Sequence, residues 1–316
     1  MPNATFLDVI KANAANANGI GMIDEVSRRT PFFSKAGWRS IKGTSFKTLV
    51  NTGASNTLGS FRKFNAGIAS AQAYFENRTV DTVPIQPQFV VDAQIADASE
   101  DGAAAFMARH ISGILETEFI AHEVQLFYGA ASGLANAAGY PGLLDAYDPI
   151  NMVNNAGGTT ANTGSSVWFV QFGPQSVQGV IANGGQFAFG PLMKQLVTAP
   201  DGSGNMMLAY VQVLTAQVGL QVANILRVAR LKNLTADVGA TLTDKLIMDT
   251  ITMFKQTGPN AILMNRRSIG QLRDSRTATN PTGNEAPFPT SVVGLDGGDI
   301  PIWVSEGLST TEPLTL

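Results

Sequence analysis

The chain has 316 residues with 21 Lys and Arg against 24 Asp and Glu, so it can bury a sizeable core, and its net charge of −3 gives no overall pull towards nucleic acid. Charged residues make up only 14%, against about 25% in ordinary soluble domains, so the surface of roughly 12,000–13,000 Å² expected of a monomer would be thinly charged; burial against partner subunits explains this most simply. Cysteine is absent, which excludes a disulfide framework, a thiolate nucleophile and Cys-ligated metal sites.

Residues 1–42 open on Met1-Pro2-Asn3-Ala4-Thr5-Phe6-Leu7, with neither a basic n-region nor a sustained apolar run, so no secretory signal is expected. Phe6, Leu7, Val9 and Ile10 form a short amphipathic candidate, and Arg28, Arg29 and Trp38 follow among Asn and Gly; the segment reads as an arm that lies on something else. From 43 to about 90, the turn residues Asn51, Gly53, Asn56, Gly59 and Gly67 alternate with strand-like runs at 60–64 and 88–91. This pattern predicts a long hairpin that projects from a core and makes its contacts outside the subunit.

Residues 100–128 predict a long helix of about 43 Å, with Ser99 as N-cap, Glu100 and Asp101 at the positive end of the dipole, and Gly129 as the stop. Met107, Ile111, Ile114, Leu115, Phe119, His122 and Leu126 recur at three- and four-residue spacing, so one stripe faces a core. After a Gly- and Ala-rich link come Gly139-Tyr140-Pro141-Gly142 and strand material at 167–172; residues 217–231 alternate as one half-buried strand. Thr241 and Asp244 open a helix carrying Leu246, Ile247, Ile251 and Phe254, ended by Gly258-Pro259. A buried strand at 261–264, a short helix around Ile269 and Leu272, and a strand at 300–304 complete a helix-strand-helix-strand lobe. The uncharged stretches between Asp148 and Lys194 and between Asp201 and Arg227 are interrupted by Gly, Pro, Gln and Asn, so no transmembrane helix and no membrane partner are expected.

Chemistry finds few anchors. The two histidines, His110 and His122, would sit on one helix about 18 Å apart along its axis and roughly 120° apart around it, so they do not share a metal. His122-Glu123 begins a zincin-like motif, but Leu126 stands where the second ligand belongs. No G-x-S-x-G occurs, the glycine pairs at 157–158 and 184–185 lack a phosphate-loop Lys, and the carboxylate pairs Asp145/Asp148 and Asp296/Asp299 sit in loop-like sequence. A packed core histidine, turns and solvated loop acids account for these features, so no enzyme activity, cofactor or metal is expected. The basic clusters Arg28-Arg29, Arg62-Lys63 and Arg266-Arg267 are dispersed and lack an interleaved aromatic stripe.

The order of elements is arm, projecting hairpin, long helix, mixed strands and α/β lobe. That order resembles the tailed-bacteriophage major capsid protein family. Within it, Asn77-Arg78-Thr79-Val80 through Pro84-Ile85 to Val90-Val91-Asp92 is similar to the family's return strand into its spine helix. Ser166-Val167-Trp168-Phe169-Val170-Gln171-Phe172-Gly173, Pro259-Asn260-Ala261-Ile262-Leu263-Met264 and Ile300-Pro301-Ile302-Trp303-Val304 add to the likeness, which spans most of the chain. It implies an α+β phage capsid fold: an N-terminal arm (1–42), an extended loop (43–90), a peripheral domain with the spine helix (91–131), mixed peripheral and axial segments (132–235), and an axial domain with a C-terminal return (236–316).

The resemblance also implies a shell subunit that assembles with itself as pentamers and hexamers around double-stranded DNA, in a virion capsid put together in the host bacterial cytoplasm. Scaffolding, portal and decoration proteins are the other expected partners; only a short arm precedes the hairpin, so scaffolding is expected to be a separate protein or to have been removed before this sequence begins. Lys47 and Lys63 lie where some relatives form a cross-link, and no cross-link is expected here. The candidate assembly contacts are Arg28, Arg29, Phe61, Arg62, Lys63, Phe64 and the spine residues Arg109 and Glu116, with a plain solvated face as the competing reading of the charged ones. Two rivals remain at this stage: an encapsulin-like compartment, which a co-purifying cargo enzyme would reveal, and an enzyme with a site between lobes.

Overall fold

The computed structural model describes residues 30–55, 61–67, 70–130, 132–182, 187–254, 257–280 and 284–314. Pro31 supplies the preset φ of a first helical position and opens the short α1 (Pro31–Lys35), which leads to β1 (Trp38–Ser40). Phe32 and Phe33 are buried; Phe33 stacks on Trp38 at 5.2 Å and meets Phe119 edge-on at 5.0 Å. The last part of the segment read as an arm is thus packed into the subunit's own core.

The projecting hairpin is present. Strands β2 (Ser45–Ala54) and β3 (Ala73–Asp81) pair antiparallel from Ser45↔Asp81 to Ala54↔Ala73, with an irregularity between Asn51 and Gly53. Its base is anchored where Phe46 and Val80 pack with Ile41, Val180 and Ala182. The strand-like reading of 60–64 is corrected for its described part: the Lys63 carbonyl accepts from Ala66 N–H at 3.2 Å and Asn65 takes φ 63°, so the chain turns there.

Beyond β4 (Val83–Ile85) and β5 (Gln88–Asp92), the Asp92 side chain accepts from Gln94 N–H at 2.8 Å and caps the short α2 (Ala93–Asp97). The long helix α3 (Gly102–Tyr128) begins two residues later than predicted. Ser99 offers its carbonyl, not its hydroxyl, to Gly102 N–H at 3.0 Å, and Gly102 at φ 80° turns the chain from α2 into α3. Met107, Ile111, Leu115, Phe119 and Leu126 are buried as the stripe requires, while Ile114 and His122 are half-buried. Gly129 stops the helix at φ 67°, ψ −179°, where its N–H still donates to Gln125. A Cβ there would stand 1.8 Å from Asp145 Oδ2 and 2.4 Å from Gly142 N, so the glycine also lets Gly142 and the short α4 (Leu143–Ala146) close over the helix end.

Two sheets follow. The first is organised on the 17-residue β11 (Met206–Val222), which pairs with β8 (Val177–Ile181), β9 (Phe187–Phe189), β10 (Met193–Thr198), β4 and β5, with β1 parallel to β8 at the edge. The second is built from β6 (Val153–Asn155), β7 (Ser165–Val170), β12 (Val228–Leu234), β13 (Ala261–Met264), β14 (Ser291–Val293) and β15 (Asp299–Val304), in the order β14-β15-β13-β7-β12-β6. The single strand predicted over 217–231 is therefore two strands in two sheets. The break is local: the Asn224 side chain accepts from Leu226 N–H at 2.9 Å and caps a 3-10 turn at Ile225–Arg227.

Every residue of β7 and β13 is buried, because alternate side chains enter separate cores on the two faces of the sheet. Val167, Phe169, Ile262 and Met264 face one core with α5 (Asp244–Ile251) and α6 (Arg266–Ala278); Trp168, Val170, Ala261 and Leu263 face the other with α3 and the aromatic residues of α1. The second sheet is thus the wall shared by both lobes. Helix α5 is capped by Thr243, whose Oγ1 accepts from Leu246 N–H at 3.3 Å, and not by Thr241; it also ends well before Gly258. Helix α6 runs for 13 residues, longer than the short helix expected.

Candidate assembly interface

The hairpin gains its reach from β2 and β3 pairing with each other and, among the described residues, with no third strand. Away from its base, Leu49, Tyr74 and Phe75 are exposed, and at the distal turn Phe61 and Phe64 are 94% and 99% exposed. Arg62 donates to the Ala66 carbonyl at 3.3 Å and Lys63 is exposed in the same turn. Four of the predicted contact residues, Phe61, Arg62, Lys63 and Phe64, are thus brought together on one tip. Large apolar side chains left in water cost free energy that burial against another surface would recover, about 25 cal/mol per Å².

The other candidates are scattered. Arg109 is exposed on α3 and donates to Asp101 Oδ2 at 2.7 Å, while Glu116 is half-buried rather than exposed as expected. Arg28 and Arg29 lie outside the described residues. His110 is exposed, and burial holds His122 neutral by lowering its pKa to about 4. Among the described residues, no group of His, Cys, Asp or Glu is arranged to hold a metal ion, and no helix is long and apolar enough to cross a membrane.

Sequence reasoning missed the polar groups that join the lobes. Glu123 is buried on α3; its Oε1 accepts from Phe32 N–H at 2.8 Å and its Oε2 from the Ser305 hydroxyl, so one carboxyl ties together α1, the long helix and the C-terminal return. Burial is the main cause that pushes its pKa up to about 7. Its position was legible: 123 lies four residues from both Phe119 and Phe127, inside the buried stripe.

A second junction is built around Glu312. Its Oε2 accepts from Arg230 Nη2 at 3.0 Å and from Ser166 Oγ at 2.5 Å, and its Oε1 from the Tyr128 hydroxyl. Arg230 is 1% exposed, donates through Nε to Ser166 Oγ at 2.9 Å, and lies over the Trp168 ring at 5.3 Å. Arg267 fastens the same return by donating to the carbonyls of Thr310 at 3.1 Å and Thr163 at 2.7 Å. These bonds hold one segment to another, so the network is a fastening.

The subunit is thus two α+β lobes that share a sheet, with a long helix and a projecting hairpin. A family model for major capsid protein GP7 matches residues 17–288, and the chain belongs to that family. As a major capsid protein it assembles with copies of itself into a shell. Among solved structures it is similar to a chain of bacteriophage Epsilon15, at 18% identity and TM-score 0.62 over 92% of this chain and 96% of that one. More distant likenesses are the bacteriophage JBD30 capsid (11% identity, TM-score 0.43, 89% and 90% covered) and the SrpI encapsulin of Synechococcus elongatus (10%, 0.41, 63% and 85%). No curated protein matches the sequence. The family match favours the phage-head reading over the encapsulin alternative.

Proposed function

We propose that the subunits gather as pentamers and hexamers through their axial lobes, and that each extended hairpin reaches across a neighbouring subunit. The observation that carries this reading is the exposed hairpin, with Phe61, Phe64, Tyr74 and Phe75 in water while Phe46, Val50 and Val80 tie it to the subunit. Spreading affinity over many modest contacts suits a shell in which each interface is repeated. The sparse charge of the sequence fits the same picture. The tip pair Arg62 and Lys63, together with Arg28, Arg29, Arg109 and Glu116, are the proposed charged contacts.

The role is structural and not enzymatic, carried out with no cofactor, and assembly takes place in the host bacterial cytoplasm. Scaffolding, portal and decoration proteins are its further partners, and packaged DNA is met without sequence preference. Deleting residues 51–59 should leave a folded subunit, because the core lies elsewhere, but one that forms few shells. Electron micrographs showing normal shells from that variant would remove the hairpin's proposed role.

A further inference from the structure

The hairpin of β2 and β3 is not the only unfinished part of the surface. Strand β10 pairs with β11 on one side and, among the described residues, with no strand on the other. The Ala199 N–H donates to the Asn205 carbonyl at 2.8 Å, which fixes the alternation of the ladder. The peptide groups of Lys194, Leu196 and Thr198 therefore point off the sheet, away from β11.

Natural sheets guard such an edge with charge, proline or a covering segment. Here Pro191 and Pro200 bracket the strand but none lies within it, and its one charge, Lys194, is already answered by Asp97 at 2.7 Å on the same chain. Leu196 is 61% exposed, and Met193 and Leu208 are exposed beside it. The edge thus has no proline or unpaired charge along β10 itself, and at Pro200, the next outward-facing position, the N–H that a longer ladder needs is missing.

We propose that β10 is an assembly edge that pairs antiparallel with β10 of a second copy across a twofold axis, with Leu196 at the centre of the register. This rests on the shell reading above, which supplies the second copy. In that register the outward-facing residues meet one another: Leu196 faces Leu196 of the copy, and Lys194 faces Thr198. Three pairs then exchange two peptide hydrogen bonds each, and no like charges oppose. A register centred on Gln195 also aligns outward groups but sets Lys194 against Leu196 and leaves Thr198 without its match. The contact is about 20 Å long and falls short of the roughly 1,200 Å² of a stable free-standing interface. It therefore holds only as one of several contacts inside a shell.

The test uses the full chain, whose lack of cysteine makes any introduced thiol the sole one. Shells of Leu196→Cys are verified by electron microscopy, oxidised with copper phenanthroline and run on a non-reducing gel. Opposed residues of a hydrogen-bonded pair lie about 5.5 Å apart between Cα atoms, within disulfide range, so the dimer should be the main band. Co-assembled Lys194→Cys and Thr198→Cys chains should form a disulfide dimer that neither forms alone, which keeps the test intact if Leu196→Cys assembles poorly. Oxidised Leu196→Cys shells that run only as monomer overturn the pairing and leave the shell reading standing. A Leu196→Cys thiol shielded from maleimide without dimer formation overturns it too, because another segment then covers the edge. If the unmodified chain makes no shells, both readings fall.

Discussion

Replacing Glu123 by Gln should flatten the pH dependence of subunit stability between about 4.5 and 7. The wild-type carboxyl is buried against Phe32 N–H and the Ser305 hydroxyl, and burial raises its pKa from 4.5 to about 7, with the neighbouring Glu306 adding to the rise. Unfolded chain therefore releases this proton at lower pH than folded chain. Across that window the folded state holds more protons, so stability falls as pH rises; the contribution is complete below the unfolded pKa and lost once pH passes the folded one. At 1.36 kcal/mol per pH unit the gap amounts to about 3 kcal/mol. Gln keeps the shape, can accept from Phe32 and donate to Ser305, and does not titrate. Urea denaturation of unassembled wild-type and variant subunits, from pH 4 to 8, should give curves that converge at the acid end and separate by about that amount at the alkaline end, the variant being the more stable. Subtracting one profile from the other cancels every other titrating group. Parallel profiles would refute the reasoning, and so would a wild type that gains on the variant as pH rises.

Glu312→Ala should cost about 3–5 kcal/mol, because it strands the buried Arg230 charge, whereas the paired change Glu312→Leu with Arg230→Met should cost far less; thermal and urea unfolding would measure both. Gly129→Ala should destabilise by more than the roughly 1–3 kcal/mol that a backbone of this kind costs a non-glycine residue, since its Cβ also meets Gly142 N, while Gly133→Ala, at φ 72° with open space around it, should show only the backbone cost. Equal losses at the two glycines would remove the close approach as the cause.

The large features were legible because local signals reinforced one another. Apolar spacing marked the long helix and Gly129 its end, turn residues marked the hairpin, and four consecutive apolar residues marked β13. Three features were not. The break at Asn224 turns on one side-chain cap inside an unbroken alternation, so the pattern continued straight across two sheets. Arg230 falls in the apolar phase set by Leu226 and Val228, and the partner that lets a charge be buried there, Glu312, lies 82 residues away. Ser99 has the right chemistry for an N-cap, but Gly102 adopts a left-handed backbone that moves the helix start beyond it. Tertiary partners decided each case, and sequence spacing does not report them. Of the proposed assembly contacts, the hairpin tip was legible in its turn residues, while the β10 edge was not, because Met193–Thr198 lacks the alternation that marks a half-buried strand.

Self-assembly is tested most directly by negative-stain electron microscopy of the purified chain, with light scattering on the same preparation across salt and protein concentration. Closed hollow shells or capsomer rings of uniform size are the predicted result. A monodisperse monomer under all conditions, unchanged when scaffolding protein is supplied, would contradict it.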